Sequence, residues 1–214
     1  SRESMYRILI GPTPAAPGRG FAGPAVNCAG AWAKDVARML GYECPSHKVR
    51  RQISLFDCRD VELGKYGMII DSSGVYFHPE AGYILGGVAE RDEPTGHNFE
   101  YGGDEFFQEK IWMPLAERSS KFESLRHLSG WGGLYEVSPD ESAIIGRVET
   151  GAPRESGRVF ESHSYSGHGI MHSYATGVAL AERMLEGRAR EIDLDLFAGS
   201  RFEKGRALSE SAVI

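Results

Sequence analysis

The residues of this chain best able to do chemistry fall in five short runs. GRGFAG, from Gly18 to Gly23, spells G-x-G-x-x-G, the spacing with which a strand-to-helix turn cradles a pyrophosphate. VRRQ sets Arg50 beside Arg51, and VYFHPE carries His78. WGGLY holds Trp131 and Tyr135. HSYSGHG, from His163 to Gly169, is a polar loop with two glycines that runs directly into IMHSYATGVALAERMLEG. A guanidinium can clamp an oxyanion bidentately. An imidazole can serve as acid, base or metal ligand. A glycine-bearing loop at a helix start turns free N–H groups, and about half a positive elementary charge, toward an anion.

Chemistry of this kind needs elements that position it. GRGFAG does not have them. Ile8, Leu9 and Ile10 could form a short strand before it, but Pro12, Pro14 and Pro17 interrupt the approach. Pro24 and AVNCAG follow it and read as a strand, so the motif is assigned to a loop. HSYSGHG has the right setting: GRVFES reads as a strand before it and a helix follows. Ile170, Tyr174, Val178, Ala181 and Leu185 lie on one face of that helix, and Gly187 ends it. A phosphate would suit its mouth. So would the pyrimidine edge of a flavin, which gains negative charge on reduction.

The rest of the chain alternates in type. Ala25–Cys28 reads as a strand, Ala29-Gly30 as a turn, and AWAKDVARML as a helix with Trp32, Val36, Met39 and Leu40 at helical spacing. Residues 48 to 88 are short β-branched and aromatic runs separated by turns, an antiparallel sheet. A helix over 104–113 takes Asp104 as N-cap and meets Pro114. Strands return in LRHLSGWGGLYEV and SAIIGRV. Arg50 and Arg51 must point to opposite faces, whereas Trp131 and Tyr135 share one. Alternation leaves the face of His78 open. Asp140 reads as the cap of a turn. His163, His168 and His172 share one loop–helix junction, with no Cys or carboxylate expected to complete a metal site.

The net charge of −6 and the lack of a basic block argue against nucleic-acid binding. No apolar run approaches the ~20 residues of a transmembrane helix. Cys28, Cys44 and Cys58 are an odd number without C-x-x-C spacing, which suits unpaired thiols in a reducing compartment. The opening SRESMYR lacks an initiator Met and a secretory signal, as expected of a processed or partial chain.

Five runs together carry a resemblance. VNCAGAWA, VRRQISLFD, GVYFHPEAGYILGG, WGGLYEVSPDESAIIG and SYSGHGIMHSYATGVALAERMLEG occur in this order. The chain resembles the D-amino-acid-oxidase-like family of FAD-dependent oxidoreductases, and more closely a branch associated with assembly of mitochondrial respiratory complex I. The resemblance implies an α/β with α+β fold. It consists of the C-terminal part of a Rossmann-type FAD-binding domain and a mainly antiparallel substrate domain, without the N-terminal GxGxxG βαβ unit. The expected divisions are 1–47 in the FAD-binding part, 48–137 as the substrate domain and 138–214 returning to the FAD-binding part. The implied cofactor is FAD, contacted by Ala29, Gly30, Gly167, His168, Gly169, Ile170 and Met171. Gly133 stands where some relatives carry a flavin-linking Cys, so the flavin is expected to be non-covalent. Tyr135 stands where glycine-oxidase-like relatives carry an Arg for the substrate carboxylate, and Met171 where sarcosine-oxidase relatives carry a Lys. His78, Arg51 and Tyr135 are the candidate catalytic residues. The implied partners are a small amine or amino-acid-like substrate and, on the alternative reading, subunits of the respiratory complex. The implied location is intracellular: mitochondrial in a eukaryote, cytoplasmic in a bacterium.

Overall fold

A computed structural model describes residues 24–90, 92–149 and 159–208, so GRGFAG lies outside the described residues. β1 (Ala25–Asn27) passes through a 3-10 turn at Gly30–Trp32 into α1 (Ala33–Leu40). β2 (His47–Asp57), β3 (Ile69–Ile70), β4 (Val75–Glu80) and β5 (Tyr83–Val88) follow. Next come α2 (Gly103–Phe107), a π-helical turn at Gln108–Trp112 and α3 (Met113–Arg118). β6 (Arg126–Val137), β7 (Ile144–Arg147), β8 (Val159–His163) and α4 (Gly169–Glu186) complete the order. One sheet has five strands in the order β3-β4-β5-β2-β6, each pair antiparallel. The other has three, in the order β1-β8-β7, with β1 parallel to β8 and β7 antiparallel to it. The α/β with α+β expectation is met.

The five-stranded sheet has two different faces because alternate residues point to opposite sides. Phe56, Val75, Phe77 and Ile84 pack against Phe106, Phe107, Ile111 and Leu115 of the α2–α3 segment, forming the largest core. Segment 99–101 crosses β6 on that side and explains two of its glycines. A Cβ on Gly130 would lie 2.1 Å from the Tyr101 ring, and one on Gly132 would lie 2.6 Å from the Phe99 carbonyl oxygen. The β2–β6 register is regular from His47↔Val137 to Leu55↔Ser129 and shifts only between Leu55 and Phe56. Asp104 is not an N-cap: α2 begins one residue earlier, and the Asp104 carboxylate accepts a hydrogen bond from His127 Nδ1 at 2.5 Å. Pro114 follows directly on the π-helical turn at Gln108–Trp112, the irregularity that accommodates a residue without an N–H inside a continuous helical run.

The three-stranded sheet is covered by small residues. α1 buries Ala33 and Ala37; of the bulky residues read at helical spacing, Trp32 and Met39 are exposed, Val36 is half-buried and only Leu40 packs on the core. α4 reverses the face read for it. Ala179 and Leu180 pack on Ile145 and Phe160, whereas Ile170, Tyr174 and Leu185 are more than four-fifths exposed. Alanine on the inner face lets a helix approach the strands closely. The bulky stripe is left for something outside this chain's own core.

One buried ion pair locks the segment after α4 to the turn before β7. Arg201 donates from Nη2 to Asp140 Oδ1 at 2.7 Å and from Nε to Asp140 Oδ2 at 2.8 Å, and both side chains are almost wholly buried. Arg201 also donates to the carbonyls of Phe197 and Ser142. Burial raises the Asp140 pKa, but hydrogen bonds from Arg201 and the Leu208 amide outweigh it and bring the carboxyl down to about 2. The carboxylate is thus more than the turn cap that its place after Pro139 implies. Replacing Asp140 with Asn leaves a buried guanidinium without its counter-charge. Urea unfolding at pH 7 is expected to show a loss of about 3–5 kcal/mol. The depressed carboxyl contributes stability above its ordinary value of 3.8, lost as pH falls through about 2. The variant's stability is therefore expected to change less over that acid range.

Candidate functional site

The two sheets meet at a buried polar cluster. His163, at the end of β8, lies between two carboxylates: Nδ1 is 3.2 Å from Glu136 Oε1 and Nε2 is 3.2 Å from Glu161 Oε2. Glu136 comes from β6 of the five-stranded sheet and Glu161 from β8 of the other. Ser46 Oγ donates to Glu136 at 2.5 Å and the Ser164 amide donates at 2.9 Å. Cys44 Sγ is 3.9 Å from His163 Nε2. Burial alone would lower the imidazole's pKa. Hydrogen bonds with Cys44, Glu136 and Glu161 reverse that and push it up to about 12. The expectation that no Cys or carboxylate meets these histidines fails for His163, because its partners come from residues 44 and 136, far away in sequence. Cys44, Glu136 and His163 form a metal-capable set, but their hydrogen bonds to one another and to Ser46 and Ser164 already satisfy them.

This cluster anchors two loops. On one side, buried Asn27 shapes the turn after β1: its Oδ1 accepts from the Ala29 amide at 3.2 Å, and its Nδ2 donates to the Ala33 carbonyl at 2.9 Å and to Tyr42 Oη at 2.8 Å. Gly30 adopts φ +53°, and the Gly30–Trp32 turn packs on β6 and β2. On the other side, Ser164, Ser166 and Gly167 all have positive φ, and the loop delivers His168 to the start of α4. No side chain caps α4, so its first amides stay free to meet a ligand. Gly167, Ile170 and Met171 are exposed, and the His168 ring lies 5.9 Å from that of His172.

The open face of the five-stranded sheet carries the three candidate catalytic residues, with Arg51 and Tyr135 adjacent and His78 two strands away. The register aligns Arg51 with Gly133, Val49 with Tyr135 and Ile53 with Trp131 across β2 and β6. It aligns Ile53 with Gly87 and Leu55 with Leu85, and then Gly87 with Tyr76 and Leu85 with His78. Arg51, Tyr135 and His78 therefore share this face with Trp131 and Tyr76, and the face of His78 is settled. Arg50 points the other way, paired with Glu93 and donating to the Glu100 carbonyl.

Two glycines make room on this face. Tyr76 lies across Gly87, where a Cβ would be 2.8 Å from its hydroxyl oxygen. Gly133 has no heavy atom within 4 Å of where its Cβ would be, so the space beside Arg51 is open. The Arg51 guanidinium sits 5.5 Å from the centre of the Tyr135 ring, a cation–π contact. Arg51 Nε and Tyr76 Oη are buried without a hydrogen-bond partner. Burial, with Tyr135 nearby, pushes the Tyr76 phenol well above its ordinary pKa and keeps it neutral. Buried polar atoms left unpaired are costly, and both of these belong to side chains on this face. Sequence reasoning missed Tyr76 because it sits in an apolar strand. The glycine pair Gly86-Gly87 opposite it was the available signal.

The family model described as FAD dependent oxidoreductase matches residues 12–183. The chain belongs to this family. FAD-dependent oxidoreductase domain-containing protein 1 of Xenopus laevis is 32% identical over 88% of this chain and 40% of its own length. Its Bos taurus counterpart is 32% identical over 88% and 41%. The chain thus spans well under half the length of these relatives. L-proline dehydrogenase from P. horikoshii superposes with a TM-score of 0.74 at 24% identity, over 87% of this chain and 48% of its own. Glycine oxidase from Geobacillus kaustophilus superposes with a TM-score of 0.67 at 19% identity, over 83% and 45%. Both show the same fold.

The residues present fit one end of FAD. The uncapped α4 amides and the adjoining glycines suit the pyrimidine edge of its ring system, and the open sheet face offers an apolar and aromatic wall. Among the described residues no glycine-rich turn stands ready for the pyrophosphate.

The buried histidine gives a pH-dependent expectation. The folded-state pKa of His163 lies above its ordinary 6.5, so its contribution to stability is complete below about 6.5 and is lost as pH rises toward 12. Melting temperature against pH is expected to decline on the alkaline side in the native sequence. His163→Gln should be less stable at pH 6 and lack that alkaline decline. Equal slopes for the two proteins would contradict the assignment.

Proposed function

We propose that this chain forms the substrate-side part of a flavoenzyme that oxidises an amine or amino-acid-like compound. The family match supports an FAD oxidoreductase. The names of the neighbours, a proline dehydrogenase and a glycine oxidase, support the substrate class. The observation that carries the reading is the unpaired Arg51 Nε and Tyr76 Oη beside the open space at Gly133. On this reading residues 48–137 serve the substrate, while 1–47 and 138–214 serve the cofactor.

When bound, non-covalently, FAD supplies the hydride acceptor. The chain's own residues bind and orient. Arg51 takes the substrate's carboxylate or an equivalent anion, replacing the Arg that glycine-oxidase-like relatives bring from the position of Tyr135. Tyr76 donates a hydrogen bond to the same group, and the Tyr135 ring holds the guanidinium in place by cation–π attraction. Trp131 walls the space and excludes water from one side. The α4 amides, from Gly169 to Met171, would hold the pyrimidine edge of the flavin and favour negative charge there. Ala29 and Gly30, at the turn that packs on β6, would add cofactor contacts. His78 lies on the same face as Arg51, two strands away from β2, and its Nδ1 is 3.1 Å from the Pro79 carbonyl oxygen.

A second reading is an assembly factor for mitochondrial respiratory complex I that keeps the fold without fast turnover. Tyr135 and Met171, standing in place of the charged residues of oxidase relatives, favour it. One experiment separates the two. A longer protein carrying these residues is loaded with FAD and mixed anaerobically with a panel of amines, with and without carboxylates. Bleaching of the flavin absorbance by carboxylate-bearing amines is expected, and Arg51→Met should raise KM for them roughly 10- to 100-fold with a smaller change for uncharged amines. A flavin reduced by no amine would favour the assembly factor.

A further inference from the structure

The buried cluster at His163 holds more chemistry than joining two sheets requires. One ligand atom each from Cys44, Glu136 and His163 lies within 4.8 Å of the other two, and all three residues are buried. They arrive from separate places: the segment before β2, the end of β6 and the end of β8. A thiol, a carboxylate and an imidazole that converge in this way are a donor set for zinc, which favours sulfur and nitrogen ligands as magnesium and calcium do not. Apolar residues of similar volume would often join the sheets as well as buried ions do.

The hydrogen bonds that satisfy these groups are those of the protonated cluster. In that form an imidazolium faces Glu136 and Glu161, Cys44 is a thiol, and the cluster carries one net negative charge. A divalent ion would displace two protons, one from the imidazolium and one from the thiol, and the net charge would stay the same. The exchange thus leaves no additional unpaired charge in buried surroundings. Outer-shell support is present as well. Glu136 and Glu161 each stand 3.2 Å from a different ring nitrogen, so whichever nitrogen turns to the ion, the other keeps a carboxylate to accept its N–H. Ser46 Oγ and the Ser164 amide donate to different oxygens of Glu136, at 2.5 and 2.9 Å, and hold that carboxylate in place. His168 and His172, whose rings lie 5.9 Å apart, have no thiol or carboxylate grouped with them among the described residues.

We propose that Cys44, Glu136 and His163 form a buried zinc site. Its role is structural, because ligands this enclosed offer no open position to a substrate. The ion ties the segment before β2 to β6 and β8 at one point, between the substrate wall and the mouth of α4. The inference does not depend on which substrate or cofactor the chain serves.

The probe is the metal alone. The chain is stripped with a chelator, incubated with Zn2+ and desalted. Elemental mass spectrometry is expected to find one zinc per chain, with a melting temperature above that of the stripped protein. Co2+ in its place should give the visible bands of a four-coordinate ion and a thiolate-to-cobalt charge-transfer band in the near ultraviolet. Cys44→Ser, close in volume, should lose the charge-transfer band, while Cys28→Ser and Cys58→Ser keep it. Glu161→Gln should weaken zinc binding roughly 10- to 100-fold. One readout needs no variant: in mild urea, alkylation of Cys44, mapped by peptide mass, should slow about tenfold or more when zinc is present. Failure to retain zinc at stoichiometry overturns the inference and leaves the cluster as a proton-bridged ion pair only. Cobalt bands that persist in Cys44→Ser and vanish in His172→Ala also overturn it, by assigning the ion to the surface of α4.

Discussion

Everything in this fold that faces the candidate site is referenced to one imidazole. His163 ends β8, and its two nitrogens reach carboxylates from different sheets, Glu136 on β6 and Glu161 on its own strand. An imidazolium between two buried carboxylates is favourable only while all three stay in place, since any one alone would carry an uncompensated charge in a low-dielectric setting. Such a cluster has little freedom to slide. It fixes the end of β6, and with it Tyr135 next in the chain to Glu136, against the loop that opens α4 next to His163. The wall that would hold a substrate and the helix mouth that would meet a flavin are therefore held in a constant relation. Their spacing is set by charge pairing and not by apolar packing.

The second constraint is economy of volume. Wherever this chain brings two layers close, it does so with residues that have little or no side chain. Ala33, Ala37 and Ala179 seat helices on strands, and Gly130 and Gly132 let segment 99–101 cross β6. On the opposite face Gly87 lets Tyr76 lie across its strand, and Gly133 alone leaves space beside Arg51. A single strand thus uses glycine for close contact on one side and for vacancy on the other. The composition, with 27 glycines, signals this demand without saying which purpose each one serves.

Much of the architecture was legible in sequence. The antiparallel runs between residues 48 and 88, the strand–loop–helix at HSYSGHG, the Gly41 and Gly187 helix stops and the opposed faces of Arg50 and Arg51 all follow from local pattern, and the structure has them. What failed was the direction of helical faces. Trp32, Met39, Ile170 and Tyr174 have the spacing of inner residues, yet alanines took that role. Periodicity locates an apolar stripe but does not say which body it faces, and a chain that matches under half of its relatives has more than one. Long-range pairs were also out of reach. Glu136 with His163, and Asp140 with Arg201, join residues whose sequence neighbourhoods carry no shared signal. For the candidate site, Arg51, Tyr135 and His78 were found as residue types. Their common face, and Tyr76 with them, emerged only from the strand register.

The regular part of the β2–β6 ladder has an evolutionary corollary. From Val137 back to Ser129 every residue of β6 has a single partner, and the one irregularity lies beyond that stretch, at Leu55/Phe56. A one-codon insertion or deletion between Gly130 and Tyr135 would put the two ends of the strand out of phase, so that its residues on either side of the change no longer share the face they share now. Length variation in this lineage should accordingly be confined to the Arg126–Ser129 end, where the existing bulge can absorb it, while the WGGLY stretch keeps a fixed count even as its letters change.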